Sequence, residues 1–131
     1  MKMAQAIRVF LVDDELDFIE PVAYWLRSKG YDATTISSGE RAVQEIKKNP
    51  PNIIFLDINM PGMNGIETLE AVRKFNKTLP IIMVTVVLDH QKFEKAKELG
   101  SSGFFPKKGS LEELQNLLEV TIRTHGSLKR R

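Results

Sequence analysis

Residues 53–65 read Ile53-Ile54-Phe55-Leu56-Asp57-Ile58-Asn59-Met60-Pro61-Gly62-Met63-Asn64-Gly65. The first four are an unbroken apolar run, rich in β-branched and aromatic side chains and without alternation. A run this short suits a strand buried on both faces. It stops at Asp57. Pro61-Gly62 then suits a type II turn, because proline sets φ at the first central position and glycine supplies positive φ at the second. Asn64-Gly65 opens a helical pattern through Ile66, Leu69, Val72 and Arg73. A carboxylate therefore stands at the carboxyl end of a central strand. Ligands bind at that edge in open α/β sheets. Asp57 could also do no more than cap the loop, so the remaining strands must decide.

They repeat the pattern. Ile7–Val12 reads as a strand that ends in Asp13-Asp14-Glu15. Leu16, Ile19, Ala23 and Leu26 then recur at helical spacing, and Lys29-Gly30 supplies a left-handed stop. Pro21 falls inside that helix and implies either a late start or a bend. Tyr31–Ile36 is a thinner strand that belongs near a sheet edge. Ala42, Val43 and Ile46 mark a second helix, ended by Asn49-Pro50-Pro51. Ile81–Val84 is a fourth buried strand, closed by Thr85. Residues 89–99 form a polar helix with few apolar anchors (Phe93, Ala96, Leu99). Gly103-Phe104-Phe105 is a short fifth strand before Pro106-Lys107-Lys108-Gly109. Ser110-Leu111-Glu112-Glu113 matches a capping box, and Leu111, Leu114, Leu117, Leu118 and Ile122 form the apolar face of the last helix. Five strands alternating with five helices imply an α/β fold, a doubly wound (βα)5 parallel sheet with helices on both faces.

The totals fit one domain of 131 residues, with residues 1–124 as the domain and 125–131 as a basic tail or the start of a linker. With no cysteine, disulfides and thiolate metal sites are excluded. A net charge of +2 is too small to argue for nucleic acid. No apolar run approaches the roughly 20 residues of a membrane span. The N-terminal residues before the first strand are too few for a signal peptide. These features suggest a cytoplasmic protein with neither a membrane nor a direct nucleic-acid role for this chain.

In such a sheet every strand delivers its last residues to one edge. Asp13 and Asp14 arrive from the first strand, Asp57 from the third, Thr85 from the fourth and Lys107 from the fifth. Three carboxylates in one crevice repel one another, and a partner must offset that. Mg²⁺ suits a few carboxylates plus water. Metal, ammonium and hydroxyl together can hold a phosphoryl group while a carboxylate attacks phosphorus in line. Asp57 is the expected nucleophile and Asp14 the direct metal ligand, with Asp13 acting through water and the Asn59 carbonyl completing the shell. Singly, each residue has an ordinary structural role: Asp13-Asp14 as a helix cap, Thr85 as a strand former, Lys107 as a surface lysine.

Taken together, Val12-Asp13-Asp14-Glu15, Leu56–Gly65, Met83-Val84-Thr85 and Gly103-Phe104-Phe105-Pro106-Lys107 resemble the receiver domain of bacterial two-component response regulators, over about Ile7 to Ile122. The resemblance implies a flavodoxin-like sheet of order 2-1-3-4-5. It implies that Asp57 accepts a phosphoryl group from a sensor histidine kinase or phosphotransfer protein, with Mg²⁺ bound. Thr85 and Lys107 would hold that group, and Thr85 and Phe104 would act as switch residues. The surface of the fourth helix, fifth strand and fifth helix would then be read by an output partner or fused output domain, or form a phosphorylation-dependent dimer. The chain would be a signalling domain that assists its own phosphorylation and slow dephosphorylation, rather than an enzyme.

Three positions depart from the family's pattern. Lys108 stands where proline usually follows the lysine. A cis bond there would cost roughly 3 kcal/mol, so a trans loop is expected, with Lys107 displaced and Lys108 as its substitute. Val86 is larger than the usual small residue and would narrow access to Asp57. Val87 cannot orient an attacking water, which implies slow self-hydrolysis. Three other readings compete. A pseudo-receiver acting through phosphorylation-independent contacts would not need intact Asp13, Asp14, Asp57, Thr85 and Lys107. A haloacid-dehalogenase-type phosphatase normally has a second aspartate where this chain has Asn59. A nucleotide-binding domain would carry a glycine-rich phosphate loop, which is absent.

Overall fold

Alternation along each strand builds two cores at once. Successive strand side chains point to opposite faces, so an apolar run must be covered on both. In the computed structural model, which describes residues 6–86 and 89–129, the runs form β1 (Arg8–Val12), β2 (Asp32–Ile36), β3 (Ile53–Asp57), β4 (Ile81–Thr85) and β5 (Gly103–Pro106). All pair in parallel in the order β2-β1-β3-β4-β5. The fold is flavodoxin-like, as expected.

The helices are α1 (Leu16–Ser28), α2 (Gly39–Lys48), α3 (Gly65–Arg73), α4 (His90–Glu98) and α5 (Leu111–Lys129). On one face Phe10, Ile54, Leu56, Ile81 and Met83 pack with Ala42, Ile46, Leu69, Val72 and Ala96 of α2, α3 and α4. On the other, Leu11, Phe55, Ile82 and Val84 pack with Ile19, Val22 and Leu26 of α1 and Leu114 and Leu118 of α5. β3 and β4 are buried at every residue, whereas the edge strand β2 buries only Ala33 and Ile36.

Local chemistry sets the ends. Gly30 follows α1 at φ +96°, the left-handed conformation that glycine adopts without a Cβ penalty. Ser110 and Glu113 exchange backbone-to-side-chain hydrogen bonds of 2.8 and 3.0 Å at the start of α5. Asn64 and Glu67 do the same at α3. Pro21 lies within α1 but faces solvent, where water can satisfy the carbonyl that proline leaves unpaired, so the helix begins at Leu16 and not later. α5 continues to Lys129, past the tail expected from residue 125. A single Gly126 costs only about 1 kcal/mol against alanine, and a nucleated helix gains a hydrogen bond for each residue it adds. Among the described residues no helix is long and apolar enough to cross a membrane.

Candidate functional site

Register aligns the strand ends. Val12 pairs with Leu56, Asp57 with Val84, and Thr85 with Pro106. Asp13, Asp57, Thr85 and Lys107 therefore meet at one edge. Asp13, Asp57 and Thr85 are buried. Carboxylate oxygens of Asp13, Asp14 and Asp57 lie within 4.8 Å of one another.

Lys107 reaches into this cluster. Its Nζ is 2.9 Å from Asp13 Oδ2 and 3.6 Å from Asp57 Oδ2. It also pairs with the Glu15 carboxylate and lies 5.0 Å from the centroid of the Phe18 ring. Its backbone N–H donates to the Thr85 carbonyl at 3.0 Å, which ties the lysine's position to the end of β4. The described residues contain no cis peptide bond, so the loop is trans as expected. The expected displacement of Lys107 does not occur: Lys107 enters the site, and Lys108 stays exposed. The β5 pairing and the bond to Thr85 carry the lysine inward without a cis turn. Val86 is half-exposed, and Val87 lies outside the described residues.

The β3–α3 loop holds Asp57 from the other side. The Asn59 N–H donates to Asp57 Oδ1 at 3.3 Å. Lys92, from α4, donates to Asn59 Oδ1 at 3.2 Å. Gly65 is required by close approach, since a Cβ there would come 2.1 Å from the Asp57 carbonyl oxygen. Phe104 is half-buried and stacks on Phe93 of α4 with ring centroids 4.5 Å apart.

Electrostatics at this edge are unfavourable to the carboxylates. Burial pushes Asp57 from 3.8 up to about 7, and the charge of Asp13 adds to this, against the opposing pull of Lys107 and the Asn59 N–H. Burial also raises Asp13, partly offset by the Glu15 N–H, which donates at 2.8 Å, and by Lys107. For Lys107 burial acts downward, but hydrogen bonds to Glu15 and Asp13 and the field of Asp57 outweigh it and raise its pKa. Oδ2 of Asp13 and Oδ2 of Asp57 are buried, and the Lys107 ammonium is the partner each of them meets. Two buried carboxylate oxygens that share a single lysine, beside a third carboxylate, are a hard-oxygen donor set of the kind Mg²⁺ takes. The residues fit such an ion.

Three participants had no role assigned from sequence. Glu15 was visible only as the third acid of a run. Lys92 looked like one of several lysines on a polar helix. Phe18 looked like ordinary packing.

A doubly wound sheet with this acidic edge defines a class of phosphosignalling domains, and the chain belongs to it: the response regulator receiver domain family matches over residues 9–119. Receiver domains are signalling domains that accept a phosphoryl group and work with histidine kinases and output domains. Relatives include the sensory transduction protein RegX3 of Mycolicibacterium smegmatis, 30% identical over 115 residues, covering 88% of this chain and 50% of RegX3. The alkaline phosphatase synthesis transcriptional regulatory protein PhoP of Bacillus subtilis is 30% identical over 118 residues, covering 88% of this chain and 48% of PhoP. The chain thus spans about half the length of these relatives. Among solved structures, the chemotaxis protein CheY4 of Vibrio cholerae matches with a TM-score of 0.80 and 32% identity, over 90% of this chain and 99% of CheY4.

Proposed function

We propose that Asp57 is the phosphoacceptor of this receiver domain and takes its phosphoryl group from the phosphohistidine of a sensor histidine kinase or phosphotransfer protein in the cytoplasm. One observation carries the assignment. Asp57 alone ends the central strand with a buried, unbonded carboxylate oxygen that faces a lysine 3.6 Å away. Asp13, Asp14, Asp57 and the Asn59 carbonyl would hold Mg²⁺, which when bound neutralises charge on the phosphoryl oxygens. Asp57 Oδ2 attacks phosphorus, and the histidine nitrogen leaves. Lys107 pairs with one phosphoryl oxygen. The Thr85 hydroxyl, at the end of β4, donates to another.

The readout is the face of α4, β5 and α5. Phosphorylation adds about −1.5 to −2 charge and strong acceptor oxygens. That can shift an equilibrium only if the oxygens are better held in one state than the other. Thr85 moving toward the phosphoryl group vacates space beside Phe104, which turns inward and changes the surface offered to an output partner, a fused output domain or a second copy.

Intact-mass spectrometry after incubation with Mg²⁺ and acetyl phosphate tests this. The expected result is one added phosphoryl group on the wild type and none on Asp57→Asn. A folded wild type that binds Mg²⁺ yet gains no mass from acetyl phosphate or a phosphorylated kinase would refute the assignment and leave a phosphorylation-independent interaction module.

A further inference from the structure

Lys107 is already engaged before any phosphoryl group arrives. Its ammonium pairs with three carboxylates, those of Asp13, Asp57 and Glu15. Asp13 and Asp57 are buried, but the Glu15 side chain is 61% exposed. Glu15 also occupies the N-cap position of α1, where an acidic side chain would ordinarily accept from the first free backbone N–H groups. It makes no such bond. Only its backbone carbonyl serves the helix, accepting from Phe18 and Ile19 at 3.1 and 3.0 Å. The side chain is turned away from the helix and onto Lys107.

We infer that Glu15 is a positioning residue, a releasable holder that parks Lys107 in the unphosphorylated domain and competes with the phosphoryl group for its ammonium. This rests on the assignment of Asp57 and Lys107 above and adds to it a residue that sets the rate. Two of the lysine's three carboxylate partners cannot be surrendered cheaply, because Asp13 and Asp57 are buried in a fixed crevice. The exposed Glu15 can swing into water at little cost, since exposed ion pairs are weak and salt-screened. Freed of Glu15, Lys107 is available sooner to the phosphoryl group that forms on Asp57. In the transfer from acetyl phosphate the Asp57 Oδ–P bond forms, the bond from phosphorus to the acetyl oxygen breaks, and acetate leaves with that electron pair.

The test compares Glu15→Ala with Asp17→Ala. Both remove one exposed carboxylate from the same turn of α1, but Asp17 makes no ion pair with Lys107. With Mg²⁺ and acetyl phosphate, Glu15→Ala is expected to be labelled about two- to fivefold faster than wild type, the range of one weak exposed pair. Asp17→Ala should stay within about twofold of wild type. Nitrogen-15 NMR of the lysine ammonium groups supplies a readout independent of phosphorylation: the Lys107 Nζ resonance should move in Glu15→Ala and hold still in Asp17→Ala. Thermal unfolding should leave Glu15→Ala near wild type, because no side-chain cap is lost. Equal acceleration by both substitutions, or an unmoved Lys107 resonance, would overturn the inference while leaving the phosphoacceptor assignment intact. A wild type that is never labelled would overturn both.

Discussion

Asp57→Asn should make the metal-free protein more stable at alkaline pH. In the folded chain Asp57 titrates at about 7, against an ordinary 3.8, with burial as the main cause and Asp13 as the next. The folded state therefore holds the proton more tightly than the unfolded chain does. Stability from this group is greatest below about pH 4 and is lost as pH rises toward 7, after which the loss is constant. A change from 3.8 to about 7, at 1.36 kcal/mol for each pH unit, corresponds to about 4 kcal/mol once the carboxylate is fully ionised. Asparagine never ionises and is nearly isosteric, but its amide must find partners where a carboxylate met Lys107. An unmet partner costs about 1–3 kcal/mol, so a net gain of about 2 kcal/mol at pH 8 is expected. Urea unfolding of both proteins in chelator, from pH 4 to 8.5, measures it. The gap between them cancels the titration of every other carboxylate that behaves alike in both. It should be near zero or reversed at pH 4 and grow with pH. Mg²⁺ should then close the gap at pH 8 by stabilising the wild type through mass action. A gap that does not change with pH, or a mutant that is the less stable at pH 8, would refute the account of the site as a cluster of ill-paired buried charge.

Two further predictions test the surroundings of the site. Arg73 is buried at the end of α3, and its guanidinium donates to the carbonyls of Leu99, Gly100 and Asn76 at 2.8, 3.0 and 3.1 Å. Arg73→Met should destabilise the fold by about 2–3 kcal/mol, because several carbonyls lose a charge-assisted donor together, and should speed amide exchange in α4 more than in α3. Val87 lacks a polar group to orient water, so phosphorylated Asp57 should decay slowly after the donor is removed. Val87→Gln should shorten its lifetime several-fold, and a wild-type lifetime as short as those of the fastest chemotaxis regulators would refute the idea.

The sheet was legible because every strand but the thin β2 announces itself twice, by an apolar run and by the polar residue that follows it. Asp13, Asp57, Thr85 and Lys107 mark four strand ends, and parallel pairing does the rest. What sequence could not reveal were contacts between distant residues with no periodic signature. Glu15 meets Lys107 across 92 positions. Arg73 matched the helical pattern of α3, yet its partners are backbone carbonyls 26 and 27 residues away, which any residue type could supply. The choice between Lys107 and Lys108 turned on which side chain the loop points inward, and that was settled by a backbone bond to Thr85 that composition does not encode. Gly126 suggested the end of α5, but one glycine is a weaker terminator than the chain around it is a helix.

The same contacts would make α4 the element that an event at Asp57 shifts at least cost. Ala96 is its one buried residue. Few buried apolar contacts mean a low free energy of local displacement. Its carboxyl end leads into Leu99 and Gly100, which the buried Arg73 grips through their carbonyls. Its amino-terminal half meets the site through weaker links: Lys92 on Asn59 at 3.2 Å, and Phe93 on Phe104 at 4.5 Å between centroids. Asn59 is itself bonded to Asp57. A phosphoryl group on Asp57 would claim the Asn59 and Lys92 donors, while Phe104 would turn away from Phe93, and both changes act on the same loosely held half of the helix. The strongly held end stays with α3. The helix would therefore respond chiefly at its amino-terminal half, where one exposed hydrogen bond and one aromatic pair link it to the site.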